Sequence, residues 1–238
     1  YWTPDEMALT KFQSADVIYK NGADYAKWIN NVSLPSSKMV NTLSGSIDKL
    51  IETKHMKTHS HGPEGEHEHT ELAFTSWLDF EIGLAQAEAI KSDLEKRIPE
   101  GAETINKNFE ALETDLNALH NEMKNAAAGL ERQLLVASHP VYQYLAKAYG
   151  LKIESVHFEP DEMPSDQQWH DLEHLFHQQK NKIMLWEDAP NDEIQAELDK
   201  RGIQAVVFNP CGNRPSQSDF LATMQQNIKN VKGISLNE

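Results

Sequence analysis

The chain predicts an α/β fold, on three observations. The second half alternates short apolar runs with amphipathic stretches, the first twenty or so residues read as a helix followed by a buried strand, and a long amphipathic helix lies between the two parts. Alternation of this kind implies a mostly parallel sheet with helices on both faces, where ligands sit beyond the carboxyl ends of the strands.

Met7 to Ala15 reads as a short helix, and Ala15 to Tyr19 (ADVIY) as a buried strand closed by the turn residues Asn21 and Gly22. A further helix is expected around Ala23 to Ile29, followed by a connection containing Pro and Ser. From Leu78 onward the pattern is helical. Leu84, Ala87, Ile90 and Leu94 recur at helical spacing up to Pro99, and a second helix runs from about Ala102 to about Leu130. Ile105, Phe109, Leu112, Leu116 and Leu119 give that second helix one apolar stripe, which could pack along both halves of a bilobed protein. A coiled coil is the alternative, against which the run of apolar a and d positions is short. Ala126 to Gly129 offers an earlier end and a flexible joint: Gly129 suits a helix terminus, whereas the alanines are strong helix formers.

The remaining elements come in order. Strands are expected at Leu134–Ser138, Ile153–Phe158, Ile183–Trp186 and Ala205–Phe208, and helices at Val141–Tyr149, Ser165–Gln179, Asn191–Arg201 and about Ser218–Val231.

Length and composition narrow the function. At 238 residues the chain suits one large domain or two lobes of about 100 residues each. A formal net charge of -15, with no clustered Lys and Arg, excludes a nucleic-acid surface and suits a protein that attracts cations. No window approaches eighteen apolar residues, the length of a membrane-spanning helix. The opening Tyr1-Trp2-Thr3-Pro4 lacks the features of a signal peptide, which is expected to have been removed or never present. One cysteine, Cys211, excludes an internal disulfide framework. It reads either as a plain buried thiol or, from the turn-like NPCGNRP around it, as a residue at a site mouth.

Histidine placement carries the chemistry. Residues 55–69 (HMKTHSHGPEGEHEH) hold five histidines, including His59, His61, His67 and His69. Neutral imidazole is the commonest protein ligand for zinc-like metals, so this density on an acidic segment points to metal capture. A tag or a solvated low-complexity insert is the bland alternative. A tag, however, is terminal and uninterrupted, while this tract is internal and mixed with Glu64, Glu66 and Glu68.

His139, Glu187 and Cys211 each fall just after an expected strand of the second half, on one rim, and N, O and S ligands all suit zinc and related ions. Each of the three taken singly is more often structural. His170, His174 and His177 share one helical face, but Trp169, Leu172, Leu175 and Phe176 occupy the opposite one, so the stripe reads as a solvated polar face able to bind zinc adventitiously. HExxH, Walker A and GxGxxG patterns are absent.

The stretch PDEMALTKFQSADVIYKNGADYAKW, the histidine-rich loop, TSWLDFEIGLAQAEAI, the long helix, ASHPVYQYLAKAYGL, VVFNPC and DFLATMQQNI together resemble the zinc- and manganese-binding solute-binding proteins of ABC importers. The resemblance covers almost the whole chain in order, and SHPVYQYLAKAYGL is its most specific part. It implies two α/β lobes joined by one long rigid helix: an N-terminal lobe at 1–100, a linking helix at 101–130 and a C-terminal lobe at 131–238. It further implies a periplasmic, non-catalytic monomer that holds a divalent metal, Zn2+ or else Mn2+, between the lobes and passes it to the membrane permease.

Within that pattern His139 matches a metal ligand and Glu187 in MLWEDAP looks like the counterpart of another. The family carboxylate after the last strand is replaced by Asn209-Pro210-Cys211. The family also commonly reads DPHxWLDP where this chain has Ala73 to Asp79, so Thr75 stands at the usual histidine. The opening strand and the segment that normally carries the first histidine are expected to be missing before Tyr1, by truncation or because the site differs. Loop histidines such as His67 or His69 could compensate. Two rival functions stay open, a metal buffer or chaperone without a permease, and a metallohydrolase with three protein ligands and an activated water, for which no general base stands at a recognisable spacing.

Overall fold

The computed structural model describes residues 2–54, 70–215 and 218–237. The chain divides into two compact units, Tyr1–Ser76 with Ile82–Leu112, and Trp77–Glu81 with Glu113–Glu238.

In the first unit, helix α1 (Glu6–Ser14) starts at Asp5, whose carboxylate accepts the Ala8 N–H at 2.7 Å. Strand β1 (Ile18–Lys20) pairs in parallel with β2 (Met39–Asn41), Ile18 opposite Met39. Gly22 comes after β1 at φ 77, and a Cβ there would run into the Asn41 side chain, so the turn admits only glycine. The helix expected around Ala23 to Ile29 does not form. Ala23 and Asp24 take left-handed φ values of 46° and 53°, which cannot propagate a right-handed helix, and only a 3₁₀ segment at Lys27–Asn31 forms in its place.

Strands β3 (Glu52–Lys54) and β4 (Thr70–Leu72) pair antiparallel, Glu52 opposite Leu72, on either side of residues 55–69. The described strands of this unit are therefore one parallel and one antiparallel pair. Most of helix α2 (Phe80–Arg97) belongs here as well. Its Asp93 Oδ2 accepts from Tyr19 Oη at 2.7 Å and from Arg97 Nε at 2.6 Å. Gln86, also on α2 and only 6% exposed, donates from Nε2 to Thr42 Oγ1 at 2.9 Å.

Helix α3 (Ala102–Ala127) is 26 residues long, and the boundary between the units falls within it. It stops short of Leu130, with Gly129 at φ 91 in the turn beyond its end, so the earlier end is the one that forms. Leu116, Leu119, Met123 and Ala127 make up its buried stripe.

The second unit holds the parallel sheet. Strands β5 (Leu134–Ala137), β6 (Lys152–Ser155), β7 (Lys182–Trp186) and β8 (Ile203–Val207) lie in the order β6-β5-β7-β8, all parallel. Helices α4 (Gln143–Tyr149), α5 (Asp166–Leu175), α6 (Asp192–Lys200) and α7 (Phe220–Lys232) alternate with them or come after the last. Alternate residues of a strand point to opposite faces. Val136, Met184 and Trp186 pack with Trp169, Leu172 and Phe176 of the α5 region and with Ile194 and Leu198 of α6. Leu135, Ile183 and Leu185 are equally buried on the other face, as a sheet covered on both sides requires.

Local signals fix the helix starts. Ser165 and Gln168 form a reciprocal capping box at α5, Asn191 accepts the Ile194 N–H at 2.9 Å at α6, and Asp219 accepts the Ala222 N–H at 2.9 Å at α7. The helices expected from Ser165 and Ser218 begin one or two residues later because Ser165 and Asp219 are caps. Helix α5 ends at Leu175, well before Gln179; Gln178 has turned to φ 66.

Candidate metal centre

The parallel strands β5 and β7 are neighbours, with Ala137 opposite Leu185, so the residues just beyond them emerge side by side at the carboxyl rim of the sheet. The Ser138 N–H continues the ladder to Leu185 O at 2.8 Å, and Ser138 O accepts the Phe158 N–H at 3.0 Å. Val141 N–H closes on His139 O at 2.9 Å, a tight turn through Pro140 that fixes the backbone carrying the imidazole. Glu187 directly succeeds β7, and Glu159 lies on the loop after β6.

The three side chains meet. His139 Nδ1 lies 3.1 Å from Glu187 Oε1, and Nε2 lies 3.2 Å from Glu159 Oε1. His157 presents its ring edge-on to His139, centroids 6.0 Å apart. The side chain of His139 is 21% exposed, Glu187 35% and Glu159 58%, a gradient from shielded imidazole to solvent-facing carboxylate. The Glu187 carboxylate bonded to the imidazole raises the His139 pKa above 6.5; burial opposes this, and the charges of Glu187 and Glu159 add to it. A carboxylate at each ring nitrogen favours positive charge at this position of the rim.

Cys211 lies in the turn that comes after β8. Its backbone takes φ 54 and its N–H donates to Asn209 Oδ1 at 2.8 Å. Burial pushes its thiol pKa up, with a hydrogen bond from the Thr223 side chain opposing. Asn209, in the same turn, is held from α7: its N–H donates to Asn227 Oδ1 at 2.9 Å and its carbonyl accepts from Asn227 Nδ2 at 2.7 Å. Asn227 itself is 2% exposed.

Among the described residues no group of three or more His, Cys, Asp or Glu side chains is arranged to hold a metal ion. Of the residues expected on the rim, the structure brings together His139 and Glu187. Thr75 is buried in the first unit at 1% exposure. His59, His61, His67 and His69 lie outside the described residues. His170, His174 and His177 are exposed, while Trp169, Leu172 and Phe176 are buried, as a solvated stripe requires. The residue that sequence reasoning missed is Glu159. It lies twenty positions from His139 on a loop, and no spacing rule links the two.

Residues 2–233 match the family model described as ZnuA, zinc-uptake complex component A, periplasmic. The zinc-binding lipoprotein AdcA of Streptococcus pneumoniae is 24% identical over 97% of this chain and 48% of its own length, so the chain spans about half of that relative. The high-affinity zinc uptake system protein ZnuA of Bacillus subtilis is 24% identical over 97% of this chain and 75% of its own. In structure, the Zn(II)-bound ZnuA-like domain of Streptococcus pneumoniae AdcA superposes with a TM-score of 0.76 at 20% identity, covering 97% of this chain and 84% of that domain. That likeness shows the α/β fold.

Proposed function

Because the chain belongs to the ZnuA family, zinc-uptake complex component A, we propose that it captures zinc outside the cytoplasm and delivers it to the permease of an ABC importer. The observation that carries this reading is His139, held on a strand-anchored turn between two carboxylates at the sheet rim. Imidazole nitrogen with carboxylate oxygen suits zinc, and a more oxygen-rich shell would turn the preference toward manganese. We assign binding and release rather than catalysis, in keeping with a family of uptake components, and a monomer as the working unit. Cys211 remains a proposed contributor to the shell, and His59, His61, His67 and His69 a proposed collecting tract on the strength of composition alone. A membrane-associated, periplasmic or otherwise extracytoplasmic location belongs to the same reading, in keeping with the family description as periplasmic and with a relative named as a lipoprotein.

The test is metal content. Protein purified without a tag is equilibrated with equal concentrations of zinc and manganese, freed of unbound ions and subjected to elemental analysis. Retained zinc is the expected result; a protein that holds neither ion contradicts metal capture, and one that holds manganese alone moves the cargo assignment.

A further inference from the structure

We propose that Glu159 shares the metal with Nε2 of His139, and that Glu187 is not a ligand but the positioning residue that keeps the ring proton on Nδ1. The inference rests on the capture function proposed above and assigns the two carboxylates different work.

The assignment begins with the two faces of the ring. A neutral imidazole carries one proton, and a carboxylate facing one nitrogen holds the proton there, leaving the other nitrogen's lone pair for a metal. Both nitrogens face a carboxylate in this structure, at 3.1 Å and 3.2 Å, so the supports of the two carboxylates decide. Glu187 directly succeeds the buried strand β7, whose ladder runs through Trp186, and is the less exposed of the two. Glu159 is 58% exposed, beyond the end of β6 on a loop that can adjust to an incoming ion.

The two separations, 3.1 Å and 3.2 Å, do not divide the faces, but the Nε2 face has the spacing an ion needs. Two ligands at about 2.0–2.2 Å from a tetrahedral zinc lie about 3.3–3.5 Å apart. Nε2 and Glu159 Oε1 are already 3.2 Å apart, so an ion can enter between them with a small outward shift of the loop carboxylate. On the other face the ion would have to displace the Nδ1–H of the better-shielded pair. Charge agrees: a neutral His139 with two carboxylates carries two negative charges, which a dication neutralises. His139 and Glu159 are then two of the metal's ligands, and Glu187 aims the first of them.

The experiment compares His139→Ala, Glu159→Gln, Glu187→Ala and Glu187→Gln with the wild type. Zinc affinity is measured by competition with a chromophoric chelator, and the His139 ring nitrogens are read by ¹⁵N NMR in mildly alkaline buffer with and without zinc. Glu159→Gln is expected to lose at least about tenfold in zinc affinity without moving the ring proton of the metal-free protein, and Glu187→Ala on the order of ten- to a hundredfold. Only Glu187→Ala should transfer the proton from Nδ1 to Nε2, and Glu187→Gln, whose amide oxygen still accepts Nδ1–H, should restore both tautomer and affinity in part. Zinc bound through Nδ1 in the wild type overturns the proposal. So does unchanged affinity in Glu159→Gln beside a loss in His139→Ala, which leaves the capture function standing. Unchanged affinity in His139→Ala overturns the capture site and this assignment together.

Discussion

Glu187 Oε1 lies 3.1 Å from His139 Nδ1, and this contact ties together the turns that leave the adjacent parallel strands β5 and β7. The pair converts a topological fact, two strands ending at one rim, into a candidate site with a defined ring orientation. It also fixes how the site answers to pH.

Since Glu187, with Glu159, raises the His139 pKa above 6.5, protons should compete with zinc from that raised value downward. Apparent affinity should fall as pH drops, approaching about tenfold per pH unit well below the raised pKa, because the ligand must be unprotonated. The sign for metal-free stability is opposite. A raised histidine pKa adds stability that is complete below the unfolded value of about 6.5 and is lost as pH rises through the folded value. Metal-free melting curves across that window should show this component in the wild type and not in His139→Ala.

In the first unit, Tyr19 is pushed up to about 12 by burial and by its hydrogen bond to Asp93, whose own pKa is lowered by Arg97. Tyr19→Phe should destabilise the protein by about 0.5–1.5 kcal/mol in urea unfolding. Asp93→Asn should bring the phenol titration, tracked by ultraviolet absorbance, back toward 10. The lowered Asp93 pKa contributes stability above the unfolded carboxylate value of about 3.9, lost as pH falls through the folded value.

Asn227 holds both backbone groups of Asn209 from a 2% exposed position. Asn227→Ala should cost about 2 kcal/mol, since two backbone groups lose their partner. It should also loosen the turn that contains Cys211, read as faster labelling of the thiol in the folded protein.

Deletion of residues 55–69 should lower zinc stoichiometry while leaving the far-ultraviolet circular dichroism of the rest nearly unchanged. The tract is rich in imidazole and is bracketed by β3 and β4, which a short turn could rejoin. Equilibrium dialysis of the deleted and intact chains measures the difference. Loss of all tight binding would instead make the tract a source of direct ligands.

Much of the second unit was legible because its strands are continuous apolar runs, as in KIMLW, and its helices begin at cap residues such as Ser165 and Asn191. The first unit was less so. Its strands are three residues long, too short for a period, and a left-handed pair at Ala23 and Asp24 replaced the helix that composition favoured. Within the site, His139 and Glu187 could be read from their places after strands. Glu159 could not, because its nearness to His139 comes from β6 pairing beside β5, which brings the loop after β6 to the same rim.

The most direct test of the account is the zinc dissociation constant of the chain lacking residues 55–69, measured by chelator competition with and without His139→Ala. The account predicts that the deleted chain keeps a tight site and that His139→Ala weakens it by roughly one to several kcal/mol, as for loss of a ligand from a metal site. Equal affinity in the two proteins would contradict it.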